Sequence, residues 1–151
     1  MTDRQRSELN LFFVDTFNNI LCWEERALCA AGIKDLSVRE VHTIEAVVKL
    51  WHESRNTMST IAASLGISVG ALTTAVNTLI RKGYLTRAAR ADDRRIVLVE
   101  PTQAGIDADK KHSCYHAAMI DGVGQTVLGQ DLDTLLKSLE QLAGFFRQSA
   151  T

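Results

Sequence analysis

The chain has 151 residues, 46% of them apolar, and a formal net charge of −1. That profile suits one globular domain with a sizeable core. No apolar run approaches the roughly 18–20 residues of a membrane span, and the opening MTDRQRSELN is not a hydrophobic secretory segment. Three cysteines, Cys22, Cys29 and Cys114, are too few and too odd a number for a disulfide framework. These features predict a cytoplasmic protein.

A first helix is expected over about residues 4–29. There Leu9, Phe12, Phe13, Phe17, Ile20 and Leu21 recur at three- and four-residue spacing and draw one apolar stripe. Gly32 ends it. Ser37 starts a second helix, with Glu40 completing a capping-box pattern and Val41, Ile44, Val47, Val48 and Trp51 as its buried face. Thr57 caps a short third helix ending near Leu65, Gly66 supplies a left-handed turn, and Ser68 caps a fourth. In that fourth helix Leu72, Val76, Leu79 and Ile80 face inward, Arg81 and Lys82 occupy the last turn, and Gly83 stops it. Residues 84–86 and 96–99 read as short strands flanking a basic loop. Thr102 caps a fifth helix reaching about Gly122 or beyond, where Gly122, Gly124 and Gly129 weaken helical order. A sixth helix is expected over about residues 132–147, with Leu135, Leu136, Leu139, Leu142, Phe145 and Phe146 on its apolar face.

The expected fold class is therefore mainly α: six helices with a winged helix-turn-helix and a small β-hairpin wing, in one domain over residues 1–151. The end helices carry more apolar surface than a small winged helix can cover. Residues 1–33 and 102–151 are read as dimerisation helices of a homodimer, and residues 34–101 as the DNA-binding lobe. The alternative is one larger monomeric helical core.

Charge distribution adds to this reading. Between Arg81 and Arg95 six basic residues face only Asp92 and Asp93, a local +4 that leaves −5 for the rest. Phosphate binding follows local potential more than the total, although a solvated basic loop would look the same. The fourth helix shows Ser68, Gly70, Ala71, Thr73, Thr74, Asn77 and Thr78 opposite its apolar stripe. Such small, neutral hydrogen-bonding residues can approach the floor of a major groove; a merely solvated face more often carries Glu and Lys.

The segment DRRIVLVEPTQAG, from Asp93 to Gly105, resembles the wing of the MarR, or multiple-antibiotic-resistance regulator, family. That wing carries Asp-x-Arg, a strand and Leu-Thr-x-x-Gly; Pro101 stands here where Leu is usual. The resemblance covers essentially the whole chain. It implies that Arg95 enters the minor groove, that Asp93 holds the wing and that Arg94 is a less specific phosphate contact. It also implies a dimer on a pseudo-palindromic operator in double-stranded DNA. With Ser68, Thr73, Thr74, Asn77, Thr78 and Arg81, these residues make the expected DNA-reading set.

Three readings of the switch stay open. Glu24, His42, His112 and His116 match in type and spacing the ligands of the zinc-uptake repressors in this family. Three imidazoles and a carboxylate suit one tetrahedral zinc per protomer. The counterparts of those repressors' second, Cys-containing site look absent: Cys29 is offset by one, and Val41 and Lys111 replace acids. The segments FNNILCWEE, KDLSVREVHTIEAV and VGALTTAVNTLIRKGY are similar to the fatty-acid-synthesis repressors, a branch that keeps the same Glu and His positions. This second resemblance implies a response to acyl carrier protein bearing a long acyl chain, with Phe12, Phe13, Phe17 and Trp23 as a tunnel wall; the plainer reading of most of these aromatics is ordinary dimer core. Thiol sensing at Cys22 or Cys29 is the third, and it sits poorly beside Glu24 and Glu25. No enzyme is expected. There is no Gly-rich phosphate loop or nucleophile elbow, and Ser113 follows His112 where a zinc hydrolase needs Glu. A pure interaction module is the remaining alternative.

Overall fold

Hydroxyl caps set the helix starts. In the computed structural model, which describes residues 1–127 and 129–149, Thr2 caps α1 (Asp3–Ala30) and Ser37 caps α2 (Val38–His52), each in a reciprocal capping box with Gln5 or Glu40. Thr57 caps α3 (Met58–Leu65) and Ser68 caps α4 (Val69–Arg81). The two-stranded antiparallel sheet of β1 (Leu85–Ala89) and β2 (Val97–Pro101) follows, then α5 (Gln103–Thr126) and α6 (Gln130–Ser149). These are the six expected helices and the hairpin, among the described residues.

The chain divides into two compact units, Met1–Ser113 and Cys114–Thr151. The first holds the core. Val41, Ile44 and Val47 of α2, Ile61 of α3, Leu72, Val76 and Leu79 of α4, and Val99 of β2 are fully buried together. Asn56, also buried, bonds the β2 backbone twice: its Nδ2 donates to the Val99 carbonyl at 2.8 Å, and its own carbonyl accepts from the Val99 N–H at 2.9 Å. Trp51 departs from expectation. It is 37% exposed, with its ring 5.0 Å from that of His52, and Leu50 is buried in its place. At the end of α2 the core stops, since Glu53, Ser54 and Arg55 are all exposed, so a large indole there stays partly exposed.

Both strands reach further than the sequence suggested. Arg87 pairs with Val99, Ala88 with Leu98 and Ala89 with Val97. Pairing overrides the weak strand preference of the two alanines. Pro101 sits at the ladder's end, opposite Leu85, where a missing N–H is tolerated. Helix α5 runs through Gly122 and Gly124 to Thr126. A long helix crosses such residues because each added residue gains a hydrogen bond, against a cost of about 1 kcal/mol per glycine.

Two junctions hold the first unit. Thr102 Oγ1 donates to the Gly83 and Tyr84 carbonyls at 2.7 and 3.0 Å and accepts from the Gly105 N–H at 3.2 Å. A Cβ on Gly105 would fall onto the Tyr84 carbonyl oxygen, deep inside van der Waals contact. This explains the Thr-x-x-Gly spacing: it lets α5 start against the chain that leaves α4. On the other side of α4, Lys82 Nζ bonds both Glu40 oxygens at 2.7 and 2.9 Å and also the Asp35 carbonyl. Burial pushes the Glu40 carboxyl up, but the Lys82 ammonium and the Ser37 groups outweigh it and hold it below the ordinary carboxylate range.

Helix α1 buries only Glu24 and Leu28 along its 28 residues. Phe12, Phe17, Leu21 and Trp23 are each about half exposed. In the second unit Ile120, Val123, Leu136, Leu139, Phe145 and Phe146 are also largely exposed.

Candidate nucleic-acid interface and metal-ligand cluster

Helices α3 and α4 meet at 105°, turned by Gly66 in the left-handed conformation. That is the bend of a helix-turn-helix. Leu72, Val76 and Leu79 anchor α4 in the core, which turns its polar face outward. Ser68, Thr74, Asn77 and Arg81 are exposed, and Thr73 and Thr78 are half-buried. Their local bonds decide what each can offer. The hydroxyls of Thr73 and Thr78 donate to the Val69 and Thr74 carbonyls at 2.8 and 3.2 Å, and Thr74 donates to Gly70 at 3.4 Å. A hydroxyl that donates back along its helix shows acceptor lone pairs to the outside; that of Thr78 already accepts from the Arg81 guanidinium at 3.2 Å. Ser68 spends its oxygen on the Ala71 N–H as the helix cap.

The wing is pinned by Asp93. Its Oδ1 accepts from the Arg95 backbone N–H at 3.0 Å and from Nε at 3.1 Å, and Oδ2 accepts from the guanidinium at 3.3 Å. The Arg95 guanidinium, then its N–H, holds the Asp93 carboxyl below the usual range. The Arg95 side chain is 91% exposed, so it stays open to solvent while Asp93 holds its guanidinium. Arg94 is exposed beside it, and Arg90 bonds Asp92 at 2.6 Å. Arg87, counted from the sequence only as charge, bonds Asn77 on α4 (2.8 Å). The partners stand ten residues apart on different elements, so no local pattern announces the pair.

The four candidate ligands come from three helices. In the first unit Glu24, at the end of α1, is buried between two imidazoles. Its Oε1 lies 3.4 Å from His42 Nε2 and 3.9 Å from His112 Nε2, and the two rings are 5.2 Å apart. The three offer ligand atoms within 4.8 Å of one another. Ligands of a tetrahedral zinc, at about 2.0–2.1 Å from the ion, stand roughly 3.3 Å apart, so the donor set and spacing suit that ion. His116 follows His112 by four residues along the unbroken α5, which puts it on the same helix face. A residue unnoticed in the sequence adds to the set: Glu45 Oε2 lies 3.6 Å from His112 Nδ1. A carboxylate on that side favours the tautomer with its proton on Nδ1, which leaves the Nε2 lone pair on the side of Glu24. A cleft of about 340 Å³ lies nearby in the chain, floored by Leu28, Ile33, Leu36 and Val38, with Cys29 on its rim. All three cysteines are exposed thiols.

Among the described residues no single helix is long and apolar enough to cross a membrane. The family model described as MarR family matches residues 42–97, the stretch from α2 into β2. A curated relative, the uncharacterized HTH-type transcriptional regulator YhbI of Bacillus subtilis (strain 168), is 35% identical over 95 residues, 62% of this chain. The chain spans 58% of that relative's length. The crystal structure of Streptococcus pneumoniae FabT in complex with DNA is similar with a TM-score of 0.86 and 31% identity, over 97% of this chain and 99% of that one. The S. aureus MepR–DNA complex shares the fold, with a TM-score of 0.70 at 16% identity over 91% of this chain and 96% of that one. MarR-family proteins are transcription regulators and not enzymes. With the family model seated on the helix-turn-helix and wing, and 31% identity to FabT over nearly both full lengths, the chain belongs to the MarR family.

Proposed function

We propose that this chain is a DNA-binding transcriptional regulator, a homodimeric repressor of fatty acid biosynthesis genes that responds to long-chain acyl carrier protein. One observation carries the DNA-binding part: the exposed polar face of α4 stands in the same unit as a wing whose Arg95 is fixed by Asp93 and exposed to solvent. The identity to a protein crystallised on DNA supports it. The exposed aromatic and aliphatic residues of α1 and α6 support a second copy as their cover. On a pseudo-palindromic site, two such chains would place two α4 helices in successive major grooves.

The fatty-acid role rests on the FNNILCWEE, KDLSVREVHTIEAV and VGALTTAVNTLIRKGY segments and on the likeness to FabT. An effector shifts DNA binding only by binding the competent and incompetent forms unequally. In this reading the acylated carrier is a corepressor. Affinity for an operator duplex, measured at fixed salt, is therefore expected to rise when long-chain acyl carrier protein is added and to stay unchanged with the unacylated carrier. Equal affinity in both cases removes the acyl reading and leaves the DNA-binding one intact.

A second reading is favoured by the geometry of Glu24, His42 and His112: zinc-responsive repression of metal uptake genes. Those residues, with His116, would hold the ion, and zinc would supply a fixed charge tying the end of α1 to α2 and α5. Four protein ligands leave no open position for hydrolysis. Zinc titration of the full chain is expected to show one site per protomer, lost in His112→Ala and weakened at least tenfold in His116→Ala. Elemental analysis without zinc and titrations identical across the variants would remove this reading.

A further inference from the structure

The zinc reading uses Glu24, His42, His112 and His116 and leaves Glu45 without a role. Glu45 follows His42 by three residues on α2, so both leave the same helix face. Its Oε2 lies 3.6 Å from His112 Nδ1, while Glu24 Oε1 lies 3.9 Å from His112 Nε2. The two carboxylates thus approach opposite nitrogens of one ring. That ring is buried, with only 1% of its side chain exposed. Nε2, on the side of Glu24, is the nitrogen that offers its lone pair to an ion held there. A neutral imidazole carries one proton. When a metal takes the Nε2 lone pair, that proton sits on Nδ1, and a buried N–H without an acceptor is costly. Metal-bound histidines commonly donate this N–H to a carboxylate, which fixes the ring and raises its basicity. At 3.6 Å Glu45 stands somewhat beyond hydrogen-bond range, but its side chain is 49% exposed and can shift to close the gap. Asp109, three residues before His112 on α5, is the competing acceptor. Burial and then the nearby Glu45 charge push its carboxyl up, while His52 pulls the other way.

We propose that Glu45 is a positioning residue of the metal centre: it accepts the His112 Nδ1–H, holds the ring with Nε2 toward Glu24, and so sets the zinc affinity without touching the ion. The inference rests on the zinc reading given above. Glu45 is exposed and outside the core, so substitution there leaves the fold in place.

The test titrates zinc into the wild-type full chain, Glu45→Ala, Glu45→Gln and Asp109→Asn, and records the visible spectrum of each loaded with cobalt as a reporter of the ligand set. Thermal unfolding of the metal-free chains is measured alongside. Glu45→Ala is expected to weaken zinc on the order of ten- to a hundredfold, with one ion per protomer, the cobalt bands unmoved and the metal-free stability unchanged. Glu45→Gln, whose amide oxygen still accepts from Nδ1, restores most of the loss. Asp109→Asn binds zinc like the wild type. The proposal is overturned if Glu45→Ala binds zinc as tightly as the wild type, or if Asp109→Asn carries the loss in its place. It is equally overturned if Glu45→Gln is as weak as Glu45→Ala, if the cobalt bands change (Glu45 would then be a ligand itself), or if the lost affinity follows a lost metal-free stability. A wild type that binds no zinc removes the zinc reading itself, and this proposal with it.

Discussion

Replacing Arg95 with alanine is expected to weaken operator binding on the order of a hundredfold, taking about 1.5 kcal/mol for each good base contact and two wings per dimer. The reason lies in the Asp93–Arg95 geometry. The carboxylate holds both the backbone N–H and the guanidinium base of Arg95, so little side-chain freedom remains to be lost on binding. The guanidinium, held by Asp93 through Nε and one terminal nitrogen, stays exposed and can meet a narrow, electronegative minor groove with its remaining N–H groups. Fluorescence anisotropy with a labelled operator duplex at fixed salt measures the effect. Asp93→Ala, which frees the arginine without removing it, should cost less than Arg95→Ala. Unchanged affinity for Arg95→Ala would sink the wing assignment.

The second large effect concerns stability. Gly105→Ala places a methyl group on the Tyr84 carbonyl oxygen, with Pro101 Cβ only 3.5 Å away on another side. Neither neighbour is a flexible side-chain end. The backbone must move, and Thr102 loses its bonds to Gly83 and Tyr84 if it does. Overpacking of this kind costs about 3 kcal/mol, which lowers the melting temperature by roughly 6–12 °C for a chain of this size. Thermal unfolding followed by circular dichroism reads it. A melting temperature within about 1 °C of wild type would mean that the junction yields easily and that the glycine has no packing role.

Much of this fold was legible because its signals are local. Ser37 with Glu40, Thr57, Gly66 and Ser68 each act within four residues, and each stands where the sequence placed it. The core face of α4 followed from periodicity alone. The strands ran longer than expected because β1 and β2 define each other's length through pairing, which a single strand's composition does not contain. Trp51 misled because its spacing matches the α2 core face while the core itself ends at Leu50. Helix α5 went on past Gly122, as the sequence allowed, and through Gly124 to Thr126, since an established helix tolerates such glycines.

The candidate sites divide in the same way. His112 and His116 share a helix, so their pairing could be read from four-residue spacing. Glu24 and His42 joined them only through resemblance, and the structure brings those two together with His112. Glu45 and Arg87 escaped notice because each acts across elements, on a group that local sequence does not reveal as its partner. The choice between acyl and zinc control was not legible for another reason. Both branches of the family keep the same Glu and His positions, so the residues that would carry the signal do not discriminate.

The central claim is that this fold reads a specific DNA sequence. Its most direct test is the affinity of the full chain for a pseudo-palindromic duplex recovered by selection, set against a scrambled duplex of equal length and composition at the same salt. The expected result is binding at least about a thousandfold tighter to the selected duplex. Equal affinity for the two duplexes would contradict it.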